Sequence, residues 1–381
     1  MKILAVDVGT GTQDIFLYDS ALDLENGFKL VVPSPTMIIH RRMREATRLG
    51  QGVLLTGVTM GGGPSQWAAQ DHVRAGYPVF ATPEAARSFN DDLEYVQREM
   101  GLTLVSEDEA ARLDGSVVRI ELRDFDYGAI AASFASFGVT LDPDGVAVAV
   151  FDHGNSPPGY SDRQFRFDYL DRRIRSENRL SAFAFQADQV PEIMTRLQAV
   201  ADSANDLGVP VMVMDTAPAA VMGATLDPRV GERERVLIAN VGNFHTLAFR
   251  LGPGGVEGVF EHHTGEISLA RLEQLLDQLA DSTLKHEDVF GDMGHGALIY
   301  DPTPLALGSG LDYDVAVTGP RRNLMRGSRL RPYFAVPYGD MMIAGCFGLL
   351  RAMADVYADF RDPILASLFG AGAGRAPWDA V

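Results

Sequence analysis

Residues 2–6 form an apolar run of strand length that leads into Asp7-Val8-Gly9-Thr10-Gly11-Thr12 and then into a second apolar run at 15–18. That is a strand, a tight Gly/Thr turn and a returning strand. The pattern recurs at an offset of 233 residues: 236–239 lead into Asn240-Val241-Gly242-Asn243, and a returning run follows at 246–249. Asp7 falls on Asn240 and Gly9 on Gly242. Each copy continues into a third strand candidate, 28–32 in the first and 258–261 in the second. A chain of 381 residues at ~100–200 per domain is predicted to hold two related halves, each opening with a three-stranded meander.

Between the copies, strand and helix signals alternate as in a parallel α/β sheet. Residues 53–58 read as a strand, Gly61-Gly62-Gly63-Pro64 as a loop and 65–75 as a helix, with a short strand at 78–81 and a helix near 83–100. Residues 146–151 read as a buried strand ending in Asp152-His153-Gly154-Asn155, and 191–207 as a helix leading to a strand at 209–214. The stretch 156–178, rich in Arg, Asp and aromatics, is expected to be an excursion or lid.

Composition narrows the function classes. Hydrophobic residues at 46% and charged residues at 22% describe a folded globular chain and disfavour disorder or a long coiled coil. A net charge of −18 repels phosphate backbones and anionic bilayers, so neither a nucleic-acid nor a membrane partner is expected. The apolar run before Asp7 is too short for a signal peptide and no run of ~18 apolar residues occurs elsewhere, so the expected location is cytoplasmic. Cys346 is the only cysteine, which excludes an intrachain disulfide, a four-cysteine zinc site and an iron–sulfur cluster ligated within this one chain.

A Gly/Thr turn after a strand points amides and hydroxyls into one space, where a phosphate can approach without a Cβ clash. Two such turns would clamp a polyphosphate, and Asp7 would hold Mg2+ through water. Ordinary hairpin turns are the alternative. The stretch from Gly9 to Asp14 lacks the third glycine of a dinucleotide fingerprint, and no GxxxxGK[ST] occurs.

These residues resemble a superfamily: that of sugar and acetate kinases, heat-shock chaperone ATPase domains and actin. Residues 7–12 resemble its first phosphate motif and 240–246 its second. Residues 211–223 resemble the first connecting segment, 314–323 the adenosine motif and 339–345 the second connecting helix. Within the superfamily the chain is most similar to an uncharacterised family of actin-like ATPase folds labelled as pyruvate formate-lyase activating proteins, through GVTMGGGPS at 57–65 and FDHGNSPPGYSD at 151–162. That label implies a radical-SAM cluster, which Cys346 alone cannot ligate.

The resemblance implies an α/β chain of two ribonuclease-H-like lobes with an interdomain nucleotide cleft. The lobes would be 1–229, with insertions, and 230–338, with 339–381 as helices crossing back toward the first lobe. It implies ATP and Mg2+ as cofactors. Gly9, Thr10, Gly11 and Thr12 would face Asn240, Gly242, Asn243 and Thr246 across the phosphates, and Thr318, Gly319 and Arg321 would lie at the adenosine. Two departures stand out: Asn240 occupies a position where many members have Asp, and Pro320 and Arg321 follow Gly319 where a second Gly is usual.

Phosphoryl transfer needs charge neutralisation, in-line positioning and a base. Asp152, at the end of a strand predicted to be buried, is a candidate base or orienter with His153 beside it, or else a loop-capping residue. Asp215, placed at the cleft by the first connecting segment, is a second candidate, or a helix N-cap. Gly61, Gly62, Gly63 and Ser65 would line an acceptor pocket, or form a plain strand-to-helix turn. His262 and His263 fall on opposite faces of a strand. A transition-metal site from Asp152, His153, Asp292 and His295 needs 153 and 295 to meet, which sequence cannot show. Arg163, Arg166, Arg172, Arg173 and Arg175 would grip an anionic substrate or pair with Asp162, Asp168 and Asp171. The expected function is an ATP-dependent phosphotransferase or ATPase acting on a small acceptor. The alternatives are a nucleotide-gated regulator of a protein partner, or a binding protein without turnover, for which Asn240 is the one hint. A homo-oligomer stays open.

Overall fold

Alternate residues of the first strand serve two different cores. In the computed structural model, which describes residues 1–370 except 114, 116, 309 and 311, together with Trp378, β1 (Lys2–Val8) sends Leu4 and Val6 to one side and Ile3 and Ala5 to the other. A strand buried on both faces lies inside a covered sheet, and the near-continuous apolar runs of β8 (Gly145–Val150) and β10 (Val211–Asp215) have the same cause.

With β2 (Thr12–Asp19), β3 (Phe28–Pro33) and β9 (Ala184–Gln186) these strands form a six-stranded sheet in the order β3-β2-β1-β8-β10-β9. The first three are antiparallel, β8 and β10 run parallel to β1, and β9 is antiparallel at the edge. The second sheet uses β11 (Val236–Val241), β12 (His245–Gly252), β13 (Gly255–His263), β14 (Gly296–Ile299), β15 (Val315–Thr318) and β16 (Pro332–Phe334), in the order β14-β13-β12-β11-β15-β16. Without the edge strands β9 and β14, both sheets show an antiparallel meander followed by two parallel strands. This is the ribonuclease-H-like order, present twice. The 233-residue offset carries β2 onto β12 end to end and then breaks, because the connection at 20–27 shrinks to 253–254.

The alternating stretch after β3 does not join the first sheet as one parallel series. β4 (Val53–Gly57), β5 (Val79–Ala81), β6 (Thr103–Leu104) and β7 (Val118–Leu122) make a separate parallel sheet, in the order β6-β5-β4-β7, with its own core. The helix expected near 83–100 is two helices, Pro83–Arg87 and Leu93–Arg98; Asp92 starts the second by accepting the amides of Glu94 and Tyr95 at 2.9 and 3.2 Å. The helix expected over 191–207 spans Thr195–Ser203 and is followed by a single 3-10 turn. Residues 156–178 are not a lid: the helix Asp162–Ser176 buries Arg166, Phe167, Leu170 and Ile174.

The helices Ala344–Val356 and Ala358–Phe369 return to the first sheet, where Phe347, Leu350 and Met353 pack with Ile3, Ala5 and Phe16. Residues 339–343, expected within the second connecting helix, precede its start. That helix crosses Thr216–Ala224 at backbone distance: a Cβ on Gly223 would fall 1.7 Å from Ala344 O, and one on Gly348 1.9 Å from Ala219 O. Small residues are required there because the main chains touch. No helix among the described residues is long and apolar enough to cross a membrane.

Candidate functional site

Both hairpins close with the same bond. The Gly9 amide donates to Thr12 O and the Gly242 amide to His245 O, each at 2.9 Å. The bends meet where a Cβ on Gly11 would lie 2.3 Å from Asn243 Nδ2. Beside this contact lies a cavity of about 290 Å3, near the lower end of the ~300–1,000 Å3 common for small-molecule sites. Gly9, Thr10 and Thr12 line it from one bend, Asn240, Gly242 and Asn243 from the other, and Thr318 and Gly319 from the end of β15. The amides of Thr10, Gly11, Asn243 and Phe244 donate to no acceptor among the described residues. Gly319 has φ +96, and a Cβ there would sit 2.5 Å from Asn240 Oδ1, so the turn closes over Asn240 only with glycine. Thr246 and Arg321 stand outside the lining. Thr246 is fully buried against the Thr264 hydroxyl at 2.8 Å, and the exposed Arg321 gives its amide to Val241 O at 2.9 Å.

The cavity floor carries two carboxylates. Asp7 lies opposite Asp14 in the β1–β2 register. Burial pushes Asp7 up to about 6, against the bond its carboxylate accepts from Thr216 Oγ1 at 2.5 Å. Burial, with the charge of Asp7, pushes Asp14 up to about 8, and Asp14 Oδ1 has no hydrogen-bond partner among the described residues. Two buried carboxyls with an unsatisfied oxygen between lobes fit a hard divalent cation such as Mg2+, which favours oxygen ligands. Asp14 was hidden in sequence because its role depends on which residue faces Asp7 across the hairpin.

At the other end, Gly61, Gly62 and Gly63 line the cavity with Arg87, Ser88, Asp91, Asp124 and Arg196. Gly63 N-caps the helix Pro64–Arg74, while Ser65 is fully buried, bonded to Thr36 and Gly62 O, and does not reach the space. Asp124 holds Arg196 through two bonds of 2.6 and 3.0 Å and accepts the Gly61 amide at 3.2 Å. Asp91 differs from its neighbours. Its carboxylate accepts no hydrogen bond among the described residues, and burial lifts it to about 6 despite the nearby Arg87.

The two carboxylates favoured by sequence are structural anchors. Asp152 lines the cavity, but it accepts the amide of Gly154 at 2.8 Å, of Arg196 at 3.0 Å and of Leu197 at 2.9 Å, holding the loop and the start of Thr195–Ser203. Asp215 lies outside the lining; it accepts the Ala217 amide at 3.0 Å at the N-terminus of Thr216–Ala224 and Arg166 Nη1 at 2.7 Å. Of the arginines at 163, 166, 172, 173 and 175, Arg166 is fully buried, Arg163 bonds Phe290 O and Arg175 pairs with Asp171; none lines the cavity.

His153 lines the cavity and meets His295, with Nε2 atoms 3.2 Å apart. His245 joins them, and its Nδ1 lies 2.7 Å from Glu261 Oε1. Glu261 Oε2 accepts from Arg166 Nε at 2.7 Å. Burial raises Glu261, yet Arg166, His295 and His245 together hold it well below the ordinary carboxylate range. Burial lowers His295 to about 3 and His263 to about 4, and takes His153 well below the usual imidazole value. His262 turns to the opposite face of β13 from His263, toward Asp292, which pairs with Arg271 at 2.7 Å. The imidazoles that come together are those of His153, His245 and His295, and neither Asp152 nor Asp292 belongs to that group. The position of His245 beside the second bend was visible in sequence; its approach to 153 and 295 was not.

A duplicated ribonuclease-H-like sheet, with one hairpin of each copy facing a shared cleft, defines a protein of the actin-like ATPase superfamily fold. A family model described as pyruvate format-lyase activating enzyme (DUF1786) matches residues 60–324, and the chain belongs to that family. No curated protein matches it. The chain is similar to the solved structure of the ethanolamine utilization protein EutJ from Carboxydothermus hydrogenoformans, at 12% identity over 92% of this chain and 89% of that one, TM-score 0.31. It is similar to a ROK hexokinase from Thermus thermophilus, at 12% identity over 92% and 98%, TM-score 0.29. It is also similar to MreB5 of Spiroplasma citri, solved bound to ADP, at 11% identity over 90% and 94%, TM-score 0.31.

Proposed function

We propose that the protein binds a magnesium nucleotide between its two hairpin bends and transfers the terminal phosphoryl group to a small acceptor, or to water. One observation carries the reading: unpaired amides from both bends flank one cavity whose floor holds Asp7 and Asp14. Amides without partners favour phosphate oxygens, and the carboxylate pair favours the cation that accompanies them. The lobes 1–229 and 230–338 would close over the nucleotide, with Gly319 and Asn240 toward the nucleoside. The acceptor would lie against Gly61, Gly62 and Gly63, where Asp91 is the free carboxylate poised near neutrality to take its proton.

The test is thermal. Mg-ADP should raise the melting temperature of the wild type, and Asp7→Ala should abolish that rise. Asp91→Asn should keep the rise while ADP formation from Mg-ATP falls by about 10²–10⁴-fold, the usual contribution of a general base. ADP formation stimulated by a metabolite, with the phosphoryl group recovered on that metabolite, supports the acceptor; ADP formation stimulated only by a second protein would replace transfer with nucleotide-gated partner control. No melting shift with any nucleotide would overturn the reading.

A further inference from the structure

Three imidazoles from distant parts of the chain converge beside the nucleotide cleft. His153 follows β8, His245 opens β12 and His295 immediately precedes β14. Their ligand nitrogens all lie within 4.8 Å of one another, and the Nε2 atoms of His153 and His295 are 3.2 Å apart. Nitrogens held ~2.0–2.1 Å from a tetrahedral zinc lie about 3.3 Å from each other, so one edge of such a polyhedron is already formed.

Glu261 sets the outer shell. Its Oε1 faces Nδ1 of His245 at 2.7 Å and Nδ1 of His295 at 3.4 Å. For His245 the hydrogen bond keeps the ring proton on Nδ1 and leaves the Nε2 lone pair free, the arrangement by which a carboxylate orients a metal-bound histidine. Arg166 in turn clamps Oε2 at 2.7 Å, so the carboxylate cannot swing into the centre. We propose that His153, His245 and His295 bind a first-row transition dication of the zinc or ferrous class through Nε2, with a fourth position open toward the cleft. His153 and His245 line that cleft, and His295 is fully buried behind them.

This centre is chemically separate from the Asp7–Asp14 floor. Imidazoles select borderline-soft dications, and carboxylates select Mg2+. Three protein ligands with one open position are the pattern of an ion that takes an exogenous oxygen donor. The ion would orient an alkoxide, carboxylate or carbonyl oxygen of the acceptor. The metal site stands on the histidine geometry; only this role rests on the nucleotide reading.

The experiment strips the protein with chelator and titrates it with Co2+ without nucleotide. The expected result is visible d–d absorption of low-coordinate cobalt, saturating at one ion per chain and displaced by Zn2+. His245→Gln and His295→Gln should lose the band. His153→Gln, at the partly exposed edge of the cluster, should weaken binding at least tenfold while keeping a cooperative melt. No cobalt band in the wild type, or bands that survive all three substitutions, would overturn the site. The Mg-ADP melting shift of the same stripped protein reads the nucleotide site independently. A band without a shift removes the nucleotide reading and keeps the metal; a shift without a band does the reverse.

Discussion

Asp14 is the residue whose protonation most directly reports the character of the cleft. Its carboxyl is raised to about 8 by burial and by Asp7 opposite, whereas the unfolded chain returns it to 3.8. Between those values the folded state holds a proton that the unfolded state has released, so this group's contribution to stability falls as pH rises across that window. Asp14→Asn should abolish that slope, raising the melting temperature near pH 8 relative to the wild type by roughly 2–4 °C for each kcal/mol the carboxyl carries, with little change below pH 3.8. The same substitution should shrink the Mg-ADP shift. Equal melting of both proteins across the window would show that the carboxyl carries no such load. Asp7 was legible in sequence because a strand followed by a Gly/Thr turn singles it out. Asp14 and Asp91 were not: the first becomes visible only through hairpin register, the second only where the helix expected near 83–100 breaks.

The helix Asp162–Ser176 shows how composition can hide a packed element. Its arginines and aspartates read as a solvated excursion, yet Phe167, Leu170 and Ile174 fall at spacings of three and four and pack into the core around β1. The helical period was present in the sequence and was outweighed by charge. Arg166, on the same buried side, bonds Asp215 from the first sheet and Glu261 from the second and lies 3.9 Å from the Phe151 ring. Arg166→Met leaves two buried carboxylates without their cation and should destabilise the protein by about 3–5 kcal/mol in urea unfolding. Glu261 in the wild type is depressed, so its stabilisation is present above the ordinary carboxylate range and lost as pH falls through the folded value. The variant should therefore lose less on acidification than the wild type does. A variant within 1 kcal/mol of wild type, about the worth of an exposed pair, would show that the bridge contributes little.

At the scale of the whole molecule, the duplicated hairpins were readable because each is local, and their mutual approach was not, because 233 residues separate them. The added parallel sheet also reaches the cleft: Trp67, half-exposed on the helix Pro64–Arg74, lies 5.9 Å from Phe244 of the second bend. In a Trp378→Phe background, Mg-ADP should change Trp67 emission with the same midpoint as the melting shift. Unchanged emission at saturating nucleotide would mean that this contact does not respond to binding. Elsewhere in the fold, Cys346 Sγ donates to Asp14 O at 3.1 Å, wedged between the first hairpin and the helix that crosses back, and burial drives its thiol well above the usual value. A thiol reagent therefore meets sulfur only during moments when helix and hairpin part. Alkylation rate becomes a clock on the seam beneath the carboxylate floor, one that a bound ligand should slow.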